Sequence, residues 1–171
     1  MNATLGNLLE LLRSFHPVIA GTYPLGIQVD GSDIDILCEV PDLGTFETFL
    51  AEHPEWFESA RRSPVEHVEP AACAVELEIE DLKVEVFAQP LPIHRQIGFR
   101  HMVVEGRLLA EGGPPLAEAI RKLKSQGHKT EPAFAKVLGL EGDPYKAVLE
   151  LESADAAELR RLVERFLERS P

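Results

Sequence analysis

Along this 171-residue chain the spacing of apolar residues changes once, near Pro90. Before it, short runs follow the two-residue alternation of β-strands; after it, only the three- and four-residue spacing of helices recurs. Val18–Ala20 and residues 33–40 read as strands. Residues 72–79 and 82–87 read as a hairpin closed by Glu80-Asp81. Helical spacing covers 4–15 and a segment opening at Pro41-Asp42-Leu43, with Phe46, Phe49, Leu50, Trp56 and Phe57 as its apolar positions. Trp56 and Phe57 are expected in the core. Further helices are predicted at 92–110, 114–126, 131–139, 143–151 and 155–169. Asp143 before Pro144 reads as an N-cap, and Asp155 with Glu158 as a capping box. The reading is α+β in front and helical behind. It predicts an α/β core over 1–90 and a helical region over 91–171 packed on it as one structural unit.

The chemically specific stretch spans the first two strands. Val18-Ile19-Ala20 ends in Gly21-Thr22, and Tyr23 to Ser32 then lead to Asp33-Ile34-Asp35-Ile36-Leu37. A small-residue turn after a strand can offer backbone N–H groups to phosphates. Carboxylates at i and i+2 of a strand face the same side, roughly 7 Å apart along the chain. Such a pair suits divalent cations that activate a hydroxyl and stabilise a leaving phosphate. Val84-Glu85-Val86 repeats the apolar-acid-apolar form on a later strand, so its carboxylate can converge with the pair. Two carboxylates about 5–7 Å apart repel by roughly 2–3 kcal/mol at an effective dielectric near 20. Stability alone does not favour that arrangement.

Gly21-Thr22, Asp33-Ile34-Asp35 and Glu85 together resemble the nucleotidyltransferase superfamily over roughly residues 16–88. The resemblance implies a small mixed sheet flanked by helices, with the acids at one edge. It implies that Gly21 and Thr22 hold a triphosphate beside Ser32. Asp33, Asp35 and Glu85 would bind Mg²⁺ or Mn²⁺, and Glu85 could take the acceptor's proton. Thr22 replaces the usual Ser, and Glu85 the usual third Asp. The longer chain is similar to a bacterial family known only as a domain of unknown function. The similar stretches are Gly21–Gly26, Gly31–Asp35, Arg100–Met102, Lys129–Ala135 and Gly139–Tyr145.

The activity implied is transfer of a nucleoside monophosphate from a nucleoside triphosphate such as ATP to a hydroxyl. The expected acceptor is a small molecule or a protein. The alternative is a non-catalytic module of the same fold that binds a nucleotide or a protein partner, including an antitoxin-like role.

Charge narrows the partners. The formal net charge is −12, with 29 acidic against 17 basic residues. Nucleic-acid affinity comes largely from neutralising phosphates, so a long polyanion is a poor expected partner. His94, Arg95, Arg100 and His101 lie within eight residues, and Arg95, Gln96, Arg100 and His101 are candidate contacts to a triphosphate or an acceptor. Lys122 and Lys129 are candidates in the densest basic run, where the helix dipole also favours cations. Cys38 and Cys73 are expected as buried thiols, not a disulfide or zinc site. With no apolar run near the roughly 20 residues of a membrane span and no basic signal-peptide start, a cytoplasmic monomer or homodimer is expected.

Overall fold

Alternation in the first half builds one five-stranded sheet in the computed structural model, which describes residues 3–169. Its strands are β1 (Val18–Ala20), β2 (Ile34–Glu39), β3 (Arg61–Val65), β4 (Ala72–Ile79) and β5 (Leu82–Gln89). They lie in the order β1-β2-β5-β4-β3. β2 and β5 run parallel, and the other pairs are antiparallel. The expected mixed sheet flanked by helices, with a helical second half, is what the chain forms.

The chain divides into two compact units, one holding residues up to Ala20 and Asp33–Gln96, the other Gly21–Ser32 and Ile97 onward. This differs from a cut near residue 90, because segment 21–32 goes with the later helices. Ile27 explains the difference: it is fully buried in the second unit's core.

In the first unit, α1 (Ala3–Leu11) and a 3-10 turn (Leu12–Phe15) precede β1, and α3 (Leu43–Glu52) and α4 (Pro54–Phe57) follow β2. One face of the sheet carries Ile36, Val86 and Val75 in a single row, each fully buried. Leu8, Leu12, Phe46, Leu50 and Phe57 are fully buried in the same unit. Phe15 meets Phe46 and Phe49 edge-on, with ring centroids 5.5 and 4.9 Å apart.

In the second unit, α2 (Thr22–Leu25) is followed by α5 (Ile97–Ser125), α6 (Thr130–Leu138), α7 (Pro144–Glu150), a 3-10 turn (Leu151–Ser153) and α8 (Ala156–Leu167). α5 is two helical runs meeting at Gly113, whose φ of 56° and ψ of −154° leave the helical region. Pro114 and Pro115 follow, where the missing N–H costs the second run little. Val104, Leu108, Leu116, Ile120, Phe134 and Leu159 form the centre of this unit's core. No helix among the described residues is long and apolar enough to cross a membrane.

Four expectations need correction. β3 was not anticipated, because Arg61-Arg62-Ser63-Pro64-Val65 shows little alternation and contains a proline tolerated at a sheet edge. The segment from Leu43 to Phe57 is two helices, since Pro54 cannot continue the α3 hydrogen-bond ladder. Trp56 is only half-buried, whereas Phe57 is fully buried. Residues 93–95 form a 3-10 turn, so His94 and Arg95 do not share a helix with Arg100 and His101. Both thiols are buried and unbridged.

Candidate active site

Strand register decides which carboxylates meet. Asp35 pairs with Glu85 across the parallel β2–β5 ladder, and Glu85 pairs with Glu76 across β4–β5. Ala20 stands opposite Asp35 on β1, and Arg61 opposite Glu76 on β3. One lateral row therefore reads Ala20, Asp35, Glu85, Glu76, Arg61 across all five strands. Neighbouring strands are about 4.8 Å apart, so the three acids are adjacent on one face. Asp33 stands one residue before β2 and is exposed, while Asp35 and Glu85 are half-buried.

Glu76 was not singled out from the sequence, although a signal was present. A hairpin turning at Glu80-Asp81 pairs Ile79 with Leu82, and counting back pairs Glu76 with Glu85. Acids directly opposite one another destabilise a sheet. Arg61 offsets part of that cost from the far side, with a guanidinium nitrogen 3.6 Å from the Glu76 carboxylate.

The donor set consists of hard carboxylate oxygens, which suit Mg²⁺ or Mn²⁺. Among the described residues, no three His, Cys, Asp or Glu side chains are gathered to hold an ion. Mg²⁺ is usually held by one or two carboxylates together with substrate phosphates, not by an all-protein cage.

Gly21 follows Ala20 directly and has a φ of 67° and a ψ of −141°. Thr22, the first residue of α2, is 7 % exposed, and its carbonyl accepts from Ile27 N at 3.1 Å. Ser32 closes a local turn: its Oγ accepts from Val29 N at 3.0 Å, and its own N–H donates to Val29 O at 2.9 Å. Arg95 is exposed in the first unit. Gln96, also in the first unit, is fully buried and donates to the carbonyls of Cys38 and Leu91 at 3.0 and 2.9 Å. That removes it from the candidate ligand contacts.

In the second unit Arg100 grips Glu152 through two hydrogen bonds of 2.9 and 2.5 Å. These bonds hold the guanidinium above its ordinary range and the carboxyl below its own. His101 is buried, with Nε2 2.9 Å from the Tyr145 carbonyl and Nδ1 3.4 Å from a Glu131 oxygen. Arg107 donates to the carbonyls of Glu152 and Ala154. Lys122 and Lys129 are exposed, Lys122 in the last turn of α5 and Lys129 at the N-cap of α6 without a side-chain cap. The structure thus sets Asp35 and Glu85 side by side on one sheet face, leaves Asp33 one residue before β2, and engages Arg100 and His101 within the helical unit.

The five-stranded sheet with its acid row and helical second half has the fold of nucleotidyltransferases. It is similar to a structure of the Cid1 poly(U) polymerase with MgGTP bound, at a TM-score of 0.55 and 12% identity, over 87% of this chain and 47% of that one. A cytoplasmic RNA terminal U-transferase gives a TM-score of 0.52 at 11% identity, over 97% of this chain and 63% of that one. The polymerase core of TRAMP, an RNA surveillance complex, gives 0.52 at 13%, over 94% and 53%. The chain therefore spans about half to two thirds of the length of these structures. By sequence, it belongs to the family described as a domain of unknown function (DUF4269), which matches residues 4–151. Comparison with curated protein sequences returns no match.

Proposed function

We propose that the protein is a metal-dependent nucleotidyltransferase, moving a nucleoside monophosphate from a nucleoside triphosphate to a hydroxyl of a small-molecule or protein acceptor. The observation that carries this reading is the pairing of Asp35 with Glu85 across β2–β5, beside Asp33, in a nucleotidyltransferase fold. Asp33 and Asp35 are the proposed ligands of Mg²⁺ or Mn²⁺, with Glu85 completing the set. A divalent cation held there would neutralise phosphate charge and lower the pKa of a nearby hydroxyl.

Glu85 lies between Asp35 and Glu76 and is the proposed acceptor of the hydroxyl proton. The attacking oxygen would then bond to the α-phosphorus as pyrophosphate leaves with the electrons of the broken P–O bond. Gly21, Thr22, Lys122 and Lys129 are the proposed phosphate contacts. Bound nucleotides in the similar structures, ATP with magnesium among them, support a triphosphate donor.

The net charge of −12 favours a small or protein acceptor over a long polyanion. The test is transfer of an α-labelled triphosphate with Mg²⁺ or Mn²⁺ to panels of alcohols, proteins and RNA. Asp33→Asn and Asp35→Asn should each lower transfer at least about a thousandfold while the fold persists. Transfer by both variants at the parental rate would remove these acids from the site. Metal-dependent triphosphate binding without transfer to any panel would favour the non-catalytic alternative.

A further inference from the structure

Segment 21–32 carries Gly21 and Thr22 and goes with α5 in the second unit, where Ile27 is fully buried in the core. Both helical runs of α5 meet it. From the first run, Gly106 leaves room for Leu25, since a Cβ there would lie 3.3 Å from Leu25 Cδ2. From the second run, Arg121 Nη1 donates to the Gly26 carbonyl at 2.9 Å. We propose that Arg121 is a positioning residue for the triphosphate, raising affinity by fixing the turn from Thr22 to Ile27 and not by touching phosphate, a role that rests on the reading of Gly21 and Thr22 as phosphate contacts.

The turn transmits that hold over a short path. Gly26 ends α2 in the left-handed region, with φ 66°. Its N–H donates to the Tyr23 carbonyl at 3.2 Å, and the next N–H, of Ile27, donates to the Thr22 carbonyl at 3.1 Å. Gly26 is exposed and has no side chain to pack, so the bond from Arg121 supplies an anchor that packing does not. A segment ordered before its ligand arrives spares the binding step that entropy cost.

Arg121 is committed to this bond in a chain rich in acids. Glu118, three residues back on α5, forms no ion pair with it among the described residues, and the guanidinium instead reaches a neutral carbonyl. Lys122, the proposed phosphate contact, lies about 100° further round the helix. Salt separates the two roles. A cation touching phosphate loses strength as ionic strength rises, whereas a bond to a neutral carbonyl changes little.

The test measures affinity for ATP, GTP, CTP and UTP, each with Mg²⁺, at low and at raised salt. It compares the parent with Arg121→Ala, with Arg121→Met, which keeps the apolar stem, and with Arg121→Lys, which keeps a donor. Arg121→Ala and Arg121→Met should raise Kd roughly fivefold, by the same factor at both salt levels, and Arg121→Lys should recover most of the loss. Without nucleotide, the Gly26 and Ile27 amides should exchange faster in the first two variants and at nearly the parental rate in Arg121→Lys. Parental affinity in a folded Arg121→Ala or Arg121→Met would overturn the proposal. So would a loss that shrinks with salt while exchange stays parental, the mark of a direct phosphate contact. A parent that binds none of these triphosphates would overturn the nucleotide reading itself and this role with it, so the parent alone tells the two failures apart.

Discussion

Gly21 holds a backbone conformation with φ 67° and ψ −141°, where a Cβ meets steric resistance. Gly21→Ala should cost roughly 1–3 kcal/mol, seen as a lower denaturant midpoint with an unchanged slope. Cys38 is a second residue whose environment predicts its chemistry. Burial pushes its thiol up to about 12, and burial is also the main cause of the raised value at Cys73. The thiolate is the reactive form. Both cysteines should therefore resist alkylation in the native protein near pH 8 and react once it is unfolded. Fast native labelling of Cys38 would contradict its placement on β2.

At the scale of elements, helix starts are governed by short-range chemistry and were legible before the fold was known. Asp155 and Glu158 form the expected capping box, and Asp143 caps α7 ahead of Pro144. Asp155→Ala should lower stability by about 1 kcal/mol. Asp42 caps α3 through the Thr45 backbone N–H and hydroxyl, and these bonds hold its carboxyl below the ordinary value near 3.8. A depressed folded value means that this contribution is intact above about pH 4 and fades as the pH falls further. Exchange of the first α3 amides should rise there in the parent, and Asp42→Asn should blunt the dependence.

The elements that sequence reading missed depend on distant partners. β3 exists because β4 offers it a ladder, not because Arg61–Val65 has strand-like alternation. Asp33, Asp35 and Glu85 were legible as acids set among apolar residues, but Glu76 and its ion pair to Arg61 emerge only from register. Arg100 and His101 read as candidate phosphate contacts because a basic helix stretch shows no partners in sequence. Their partners, Glu152, Glu131 and Tyr145, lie 30 to 52 residues further along.

At the scale of the whole molecule, the chain passes between its two units three times, after Ala20, Ser32 and Gln96. The Gly21-Thr22 pair follows the first of these passages in the chain, and Asp33 follows the second. The net charge of −12 is a global counterpart to this local site. It disfavours approach of a polyanion, and raising the salt concentration should help a long RNA acceptor more than a small neutral alcohol.

Thermal unfolding with a nucleoside triphosphate, with and without Mg²⁺, in the parent and in the Asp33→Asn/Asp35→Asn double variant, tests the central claim most directly. A ligand at about a hundred times its Kd adds roughly 2.7 kcal/mol, enough for a clear rise in Tm. The account predicts a rise that requires metal and triphosphate together and disappears in the double variant. An equal rise in the variant, or none in the parent with any triphosphate, would contradict a nucleotide site built on these acids.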